Sequence, residues 1–91
     1  MNTTDARHEA VSMILRDYAL RRLPYALYLS EQTGAGEVLD DDETESLDAM
    51  LRDVENADSA LSDQADLQRL RECVAGLHRA IQAQSALNAT G

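Results

Sequence analysis

The sequence predicts an all-α fold, a three-helix bundle with a long, kinked first helix packed on a helical hairpin. Three observations predict it. Apolar residues recur three, four or seven positions apart over most of the 91-residue chain, the repeat of a helix with one buried face. No stretch alternates apolar and polar residues for long, as a half-buried strand would. Stop and start signals stand close together at Thr33-Gly34-Ala35-Gly36 and Asp40-Asp41-Asp42-Glu43, cutting the pattern into long pieces. At this length the chain makes one domain, residues 1–91.

The first helix is expected over about residues 5–32, with Thr4 or Asp5 as its N-cap. Val11, Ile14, Leu15, Tyr18 and Tyr25 share one side by their spacing. Pro24 falls inside this pattern and removes the hydrogen bond to the Leu20 carbonyl, so a kink is expected there. Gly34 and Gly36 then end the helix, because glycine enters the left-handed region at little cost.

The second helix is expected over about 40–57. Asp40 with Glu43, and Asp42 with Glu45, both have the spacing of a capping box with Asp as the cap. Leu47, Met50, Leu51 and Val54 form its core stripe. The third helix, about 62–87, carries Leu67, Leu70, Val74, Leu77 and Ile81 in alternating steps of three and four, as in a heptad seam. That seam fades at Gln84 and Asn88, and the tail from Asn88 to Gly91 is expected to fray.

Between these two, residues 56–63 hold turn and cap residues but no Gly or Pro, and one continuous helix over 43–87 is the alternative. The apolar phase argues for a hairpin turning near 57–62: Leu47, Val54 and Leu61 step by seven, then Leu67 arrives six later.

Composition narrows the function classes. Seventeen Asp+Glu oppose eight basic residues, all Arg, for a net charge of −9. Such a chain is repelled by phosphate backbones and anionic membranes, so neither is an expected direct ligand. One cysteine makes no intramolecular disulfide or zinc site. The first residues lack the features of a secretory leader, and the longest apolar run is the seven residues Leu23–Leu29, far short of a span. A cytoplasmic location is expected. Arg in place of Lys, with abundant Ala, suits a GC-rich bacterial or phage genome.

The catalytic inventory is poor, and no enzyme and no cofactor are expected. His8 and His78 have no Ser or Cys at a spacing that defines a triad. Cys73 is expected to pack beside the Val74 seam and His78 to lie at its rim. Gly34-Ala35-Gly36 is too short to cradle a phosphate. A calcium loop begun at Asp40 would place Glu45 where the turn needs Gly and Leu51 where the bidentate Glu belongs, so no metal is expected.

The charge map is more telling. Residues 1–36 are neutral, residues 37–66 carry −11, and residues 67–91 carry +2. On the second helix Asp41, Glu45, Asp48 and Glu55 fall on one stripe away from the Leu47/Val54 face, interrupted by Arg52. Part of this acidity stabilises a helix N-terminus. The stripe also suits docking on a basic groove, although about one carboxylate per 3.8 Å is half the charge density of duplex DNA. A second candidate surface is the segment holding Arg21, Arg22, Tyr25, Tyr28 and Leu29. Its unbroken apolar run wraps a helix fully, and Tyr with Arg is interface-anchor composition.

The functional expectation is a non-enzymatic, acidic protein-binding module that occupies a basic surface of a larger partner. Its sharpest form is a bacterial or phage inhibitor or regulator of a nucleic-acid-handling complex, such as CRISPR or restriction machinery. The alternative is a helical chaperone or assembly subunit, such as a secretion-system co-chaperone, or a homodimeric scaffold, using the Tyr/Leu patch.

Overall fold

The structure, a computed structural model, describes residues 3–61 and 64–91, with Thr3, Thr4 and Asp5 described in backbone alone. It is helical throughout, with no strand among the described residues: α1 (Thr3–Asp17), a π-helical turn (Tyr18–Arg22), α2 (Leu23–Gly34), α3 (Asp41–Ala60) and α4 (Ala65–Thr90). The first three pieces run on as one long helix. It packs on the α3–α4 hairpin, with α4 against both α2 and α3. This is the predicted three-helix bundle.

The first helix is longer than the sequence suggests. Thr4 and Asp5 lie inside α1 rather than capping it. Residues 6–9 are all exposed, and the first buried side chain among the described residues of the helix is Val11. The irregularity expected at Pro24 is the π turn just before it, where the Leu23 N–H reaches back five residues to the Tyr18 carbonyl. Pro24 then enters in the first turn of α2, where a missing N–H is tolerated.

The π turn also resets the register. A π turn holds one residue more than an α turn, so the buried positions run Val11, Tyr18, Ala26, Thr33, with a step of eight across the turn and seven on either side. Tyr25, predicted to share the Tyr18 side, is therefore only half-buried, and Ala26 takes the core position.

At its end the helix closes in a Schellman arrangement. The Glu37 N–H bonds the Gln32 carbonyl, and the Gly36 N–H bonds the Thr33 carbonyl. Gly36 sits at φ 102°, the left-handed region that favours glycine.

A full capping box opens α3. The Glu43 N–H donates to Asp40 Oδ1 at 2.7 Å, and the Asp40 N–H donates to Glu43 Oε1 at 3.0 Å. Of the two expected boxes, the earlier forms. Helix α3 runs to Ala60, three residues past the expected end. The hairpin is confirmed over a continuous helix: the Leu61 N–H bonds the Ala57 carbonyl and the Gln64 N–H bonds the Leu61 carbonyl. The expected start of the last helix at Ser62 lies outside the described residues.

Leu29, Leu47, Val54, Leu67, Val74 and Ile81 are fully or almost fully buried and form the centre of the core. Leu77 of the seam is partly buried against it. The apolar seam ends at Ile81, as the polar Gln84 and Asn88 lead one to expect, but polar contacts carry on from it. Buried Ser85 continues the seam, its Oγ accepting the Leu39 N–H at 3.0 Å. Asn88 Nδ2 donates to the carbonyls of Thr33 and Glu37, each at 2.7 Å. These bonds tie α4 to the end of α2, so the helix continues to Thr90 instead of fraying from Asn88.

Candidate functional site

The acidic face is built on α3, where burial of Leu47, Met50 and Val54 fixes which side turns outward. Asp41, Glu45 and Glu55 are exposed on that side, and so is Asp42, which the stripe did not include. Its signal is present in the run Asp40-Asp41-Asp42, of which only Asp41 is placed on the predicted stripe. Asp41, Asp42 and Glu55 have no ion pair among the described residues, whereas Glu45 has Arg52 Nη2 at 3.8 Å, both side chains well exposed. An exposed pair at that distance contributes little.

Asp48 stands apart from this face. Its Oδ1 lies 2.7 Å from His78 Nε2 and accepts from Gln82 Nε2 at 3.0 Å. The carboxylate joins α3 to α4 and is only half available to a partner. Asp53 and Asp58 are also spent within the bundle, the first on Arg22 Nη1 at 2.9 Å and the second on Arg71 Nε at 2.9 Å. The carboxylates of α3 therefore divide by side: those facing neighbouring helices are paired across the bundle, and those facing outward have no partner among the described residues save the long, exposed Glu45–Arg52 contact.

The arginine–tyrosine segment is mostly fold rather than surface. Leu29, predicted as part of the patch, is fully buried, three residues after Ala26 on the same buried face. Arg22 is tied on several sides. Its Nε lies 3.3 Å from Asp17 Oδ2, its Nη1 donates to Asp53, and its guanidinium sits over the Tyr18 ring at 5.1 Å. Tyr18 is buried, donates its hydroxyl to the Met50 carbonyl at 2.7 Å, and accepts from Arg22 Nη1 at 3.2 Å. Burial raises the Tyr18 hydroxyl above the ordinary tyrosine range.

Arg21 is exposed but held to Asp17 Oδ1 at 2.6 Å. That hydrogen bond, helped by the charges of Arg21 and Arg22, holds the Asp17 carboxyl below the usual range. Tyr25 and Tyr28 stack with ring centroids 6.3 Å apart, Tyr25 half-buried and Tyr28 exposed. Shallow grooves flank Arg22 between the first helix and α3, the larger about 330 Å³ and lined by Arg21, Tyr25, Ser46 and Met50. The predicted patch thus reduces to Arg21, Tyr28 and the edge of Tyr25.

What sequence reasoning missed is the true apolar surface of the first helix. Met13, Leu20, Leu27 and Tyr28 are at least half exposed. Met13 and Leu20 lay outside the Tyr/Leu segment, and only the step of eight across the π turn puts them on one face with Tyr28. Cys73 is exposed, not packed beside Val74 as expected. His78 borders an open groove of about 390 Å³ together with Asp48, Arg52 and Glu55. No group of three His, Cys, Asp or Glu among the described residues is placed to hold a metal ion. No helix of the described residues is long and apolar enough to cross a membrane.

No protein-family model matches the chain, and neither a curated protein nor a solved structure matches it.

Proposed function

We propose that this chain is a non-enzymatic protein-binding module whose outward α3 face docks on a basic surface of a larger partner. The observation that carries the reading is the division of the α3 carboxylates. Asp48, Asp53 and Asp58 are consumed by neighbouring helices, while Asp41, Asp42 and Glu55 are exposed with no counter-ion among the described residues. Exposed carboxylates without a counter-ion among the described residues are available to a basic partner surface, whose potential complements theirs. In its sharpest form the module is a cytoplasmic inhibitor or regulator of bacterial or phage origin. It would occupy a groove that otherwise holds nucleic acid, as in CRISPR or restriction machinery.

The test is capture from a native lysate with the wild-type chain and with Asp41→Asn, Asp42→Asn, Glu45→Gln, Glu55→Gln combined. The wild type is expected to retain a basic protein that elutes as salt shortens the screening length from about 10 Å at 0.1 M to about 3 Å at 1 M. The neutralised chain is expected to retain none. Capture that survives both neutralisation and salt overturns the reading. A second reading, an assembly subunit that holds a partner helix, is favoured by the exposed Met13, Leu20 and Tyr28. Capture lost on Leu20→Glu but not on neutralisation would select it.

A further inference from the structure

The first helix has a buried face and an apolar face opposite to it. Val11, Tyr18 and Ala26 are buried, separated by seven and then eight residues across the π turn. Met13, Leu20 and Tyr28 repeat those same steps two residues later, and they are 72%, 71% and 50% exposed. Two residues turn a helix by about 200°, so this second row points directly away from the hairpin. Leu27, 54% exposed, widens it.

We propose that a second copy of this chain covers that face, in an antiparallel two-fold dimer centred between Leu23 and Pro24. Charge identifies the occupant. Two chains of net −9 repel each other over most of their surface. Residues 37–66 carry −11, whereas residues 1–36 are neutral, so two copies meet with least repulsion along the first helix.

The register follows from the charged residues on the same face. Arg16 lies between Met13 and Leu20, and Glu31 lies one turn beyond Leu27 and Tyr28. Both are exposed and have no ion pair among the described residues. A two-fold axis between Leu23 and Pro24 sets Arg16 opposite Glu31 of the second copy, and Leu20 opposite Leu27 of the second copy. The symmetry repeats each pairing. A parallel arrangement instead sets Arg16 on Arg16 and Glu31 on Glu31.

The hairpins then lie on the two outer sides, leaving both α3 acidic faces free. The apolar row is narrow, so the dimer belongs with small interfaces of modest affinity.

Sedimentation equilibrium of the full chain from micromolar to millimolar concentration tests this. The wild-type mass is expected to rise from 10.0 kDa towards twice that value. Leu20→Glu should hold it at the monomer mass, with helicity by circular dichroism unchanged because Leu20 touches solvent and not the core. Arg16→Glu and Glu31→Arg should each weaken the dimer by several-fold, and the two together should restore it. A wild-type chain monomeric at millimolar concentration overturns the proposal. So does an assembly unmoved by Leu20→Glu, or a double swap that fails to recover the dimer. None of these readouts depends on the α3 partner.

Discussion

The Tyr18 hydroxyl donates to the Met50 carbonyl across the bundle at 2.7 Å, joining the first residue of the π turn to the middle of α3. Tyr18→Phe removes this bond and the acceptor for Arg22 while keeping the ring. The expected cost is about 0.5–1.5 kcal/mol, the net worth of one such bond, read from urea denaturation. The pH dependence has a definite sign. Burial raises the folded-state pKa, so the contribution is complete below the unfolded tyrosine value. It is lost as pH rises from about 10 through the folded value. The wild type should weaken there more steeply than Tyr18→Phe, and equal slopes would contradict this account.

Leu29 and Tyr28 are neighbours with opposite roles, which separates core from surface by one residue. Leu29→Ala empties a fully buried site and should cost about 2–5 kcal/mol, a large part of the stability of a small domain. Tyr28→Ala removes an exposed ring and its stacking on Tyr25, worth about 0.5–1.5 kcal/mol at most. Thermal melts of the two variants give the comparison, and similar losses would contradict the assignment of faces.

That one-residue distinction marks the limit of what the sequence makes legible. The heptad steps of Leu67, Leu70, Val74 and Ile81 announce their burial because α4 is regular, and the Asp40/Glu43 spacing announces its capping box. The phase of the first helix is not legible beyond Tyr18. The π turn has no local signal of its own beyond Pro24; it coincides with Tyr18 reaching Met50 and Arg22 reaching Asp53 across the bundle, and it shifts all later residues by one position. Tyr25 for Ala26 is that single shift; Leu29, four residues after Tyr25, falls on the buried side in either register, and only the unbroken run Leu23–Leu29 points to surface there. The acidic face was largely readable because α3 is unbroken. That Asp48 turns inward was not, since it depends on where His78 and Gln82 fall along α4.

Glycine substitutions separate backbone strain from helix propensity. Gly36 lies at φ 102°, so Gly36→Ala should destabilise by about 1 kcal/mol or more although a methyl group would meet no atom within 4 Å. Gly76 is inside α4 with the same open space around it, so Gly76→Ala should stabilise by about 0.5–1 kcal/mol. Opposite shifts in denaturation midpoint are the expected result. A shared sign would contradict the backbone assignment at one of the two.

Asp48 and Glu55 give a last contrast on α3, between a carboxylate that holds the bundle and one that faces outward. Asp48→Ala leaves His78 without its 2.7 Å partner and Gln82 without its acceptor. With the Asp48 side chain 43% exposed and His78 18% exposed, the expected loss is about 0.5–1.5 kcal/mol, most of it from His78. Glu55→Ala removes an exposed group with no ion pair among the described residues, and surface changes of that kind stay within about 0.5 kcal/mol. Urea midpoints should therefore drop for Asp48→Ala and stay in place for Glu55→Ala. The order bears on how binding is measured, because a docking defect in Asp48→Ala would mix lost charge with a loosened α3–α4 contact, whereas one in Glu55→Ala reports charge alone. If Glu55→Ala proves the more destabilising change, α3 is rotated from the orientation described here and its outward face must be reassigned.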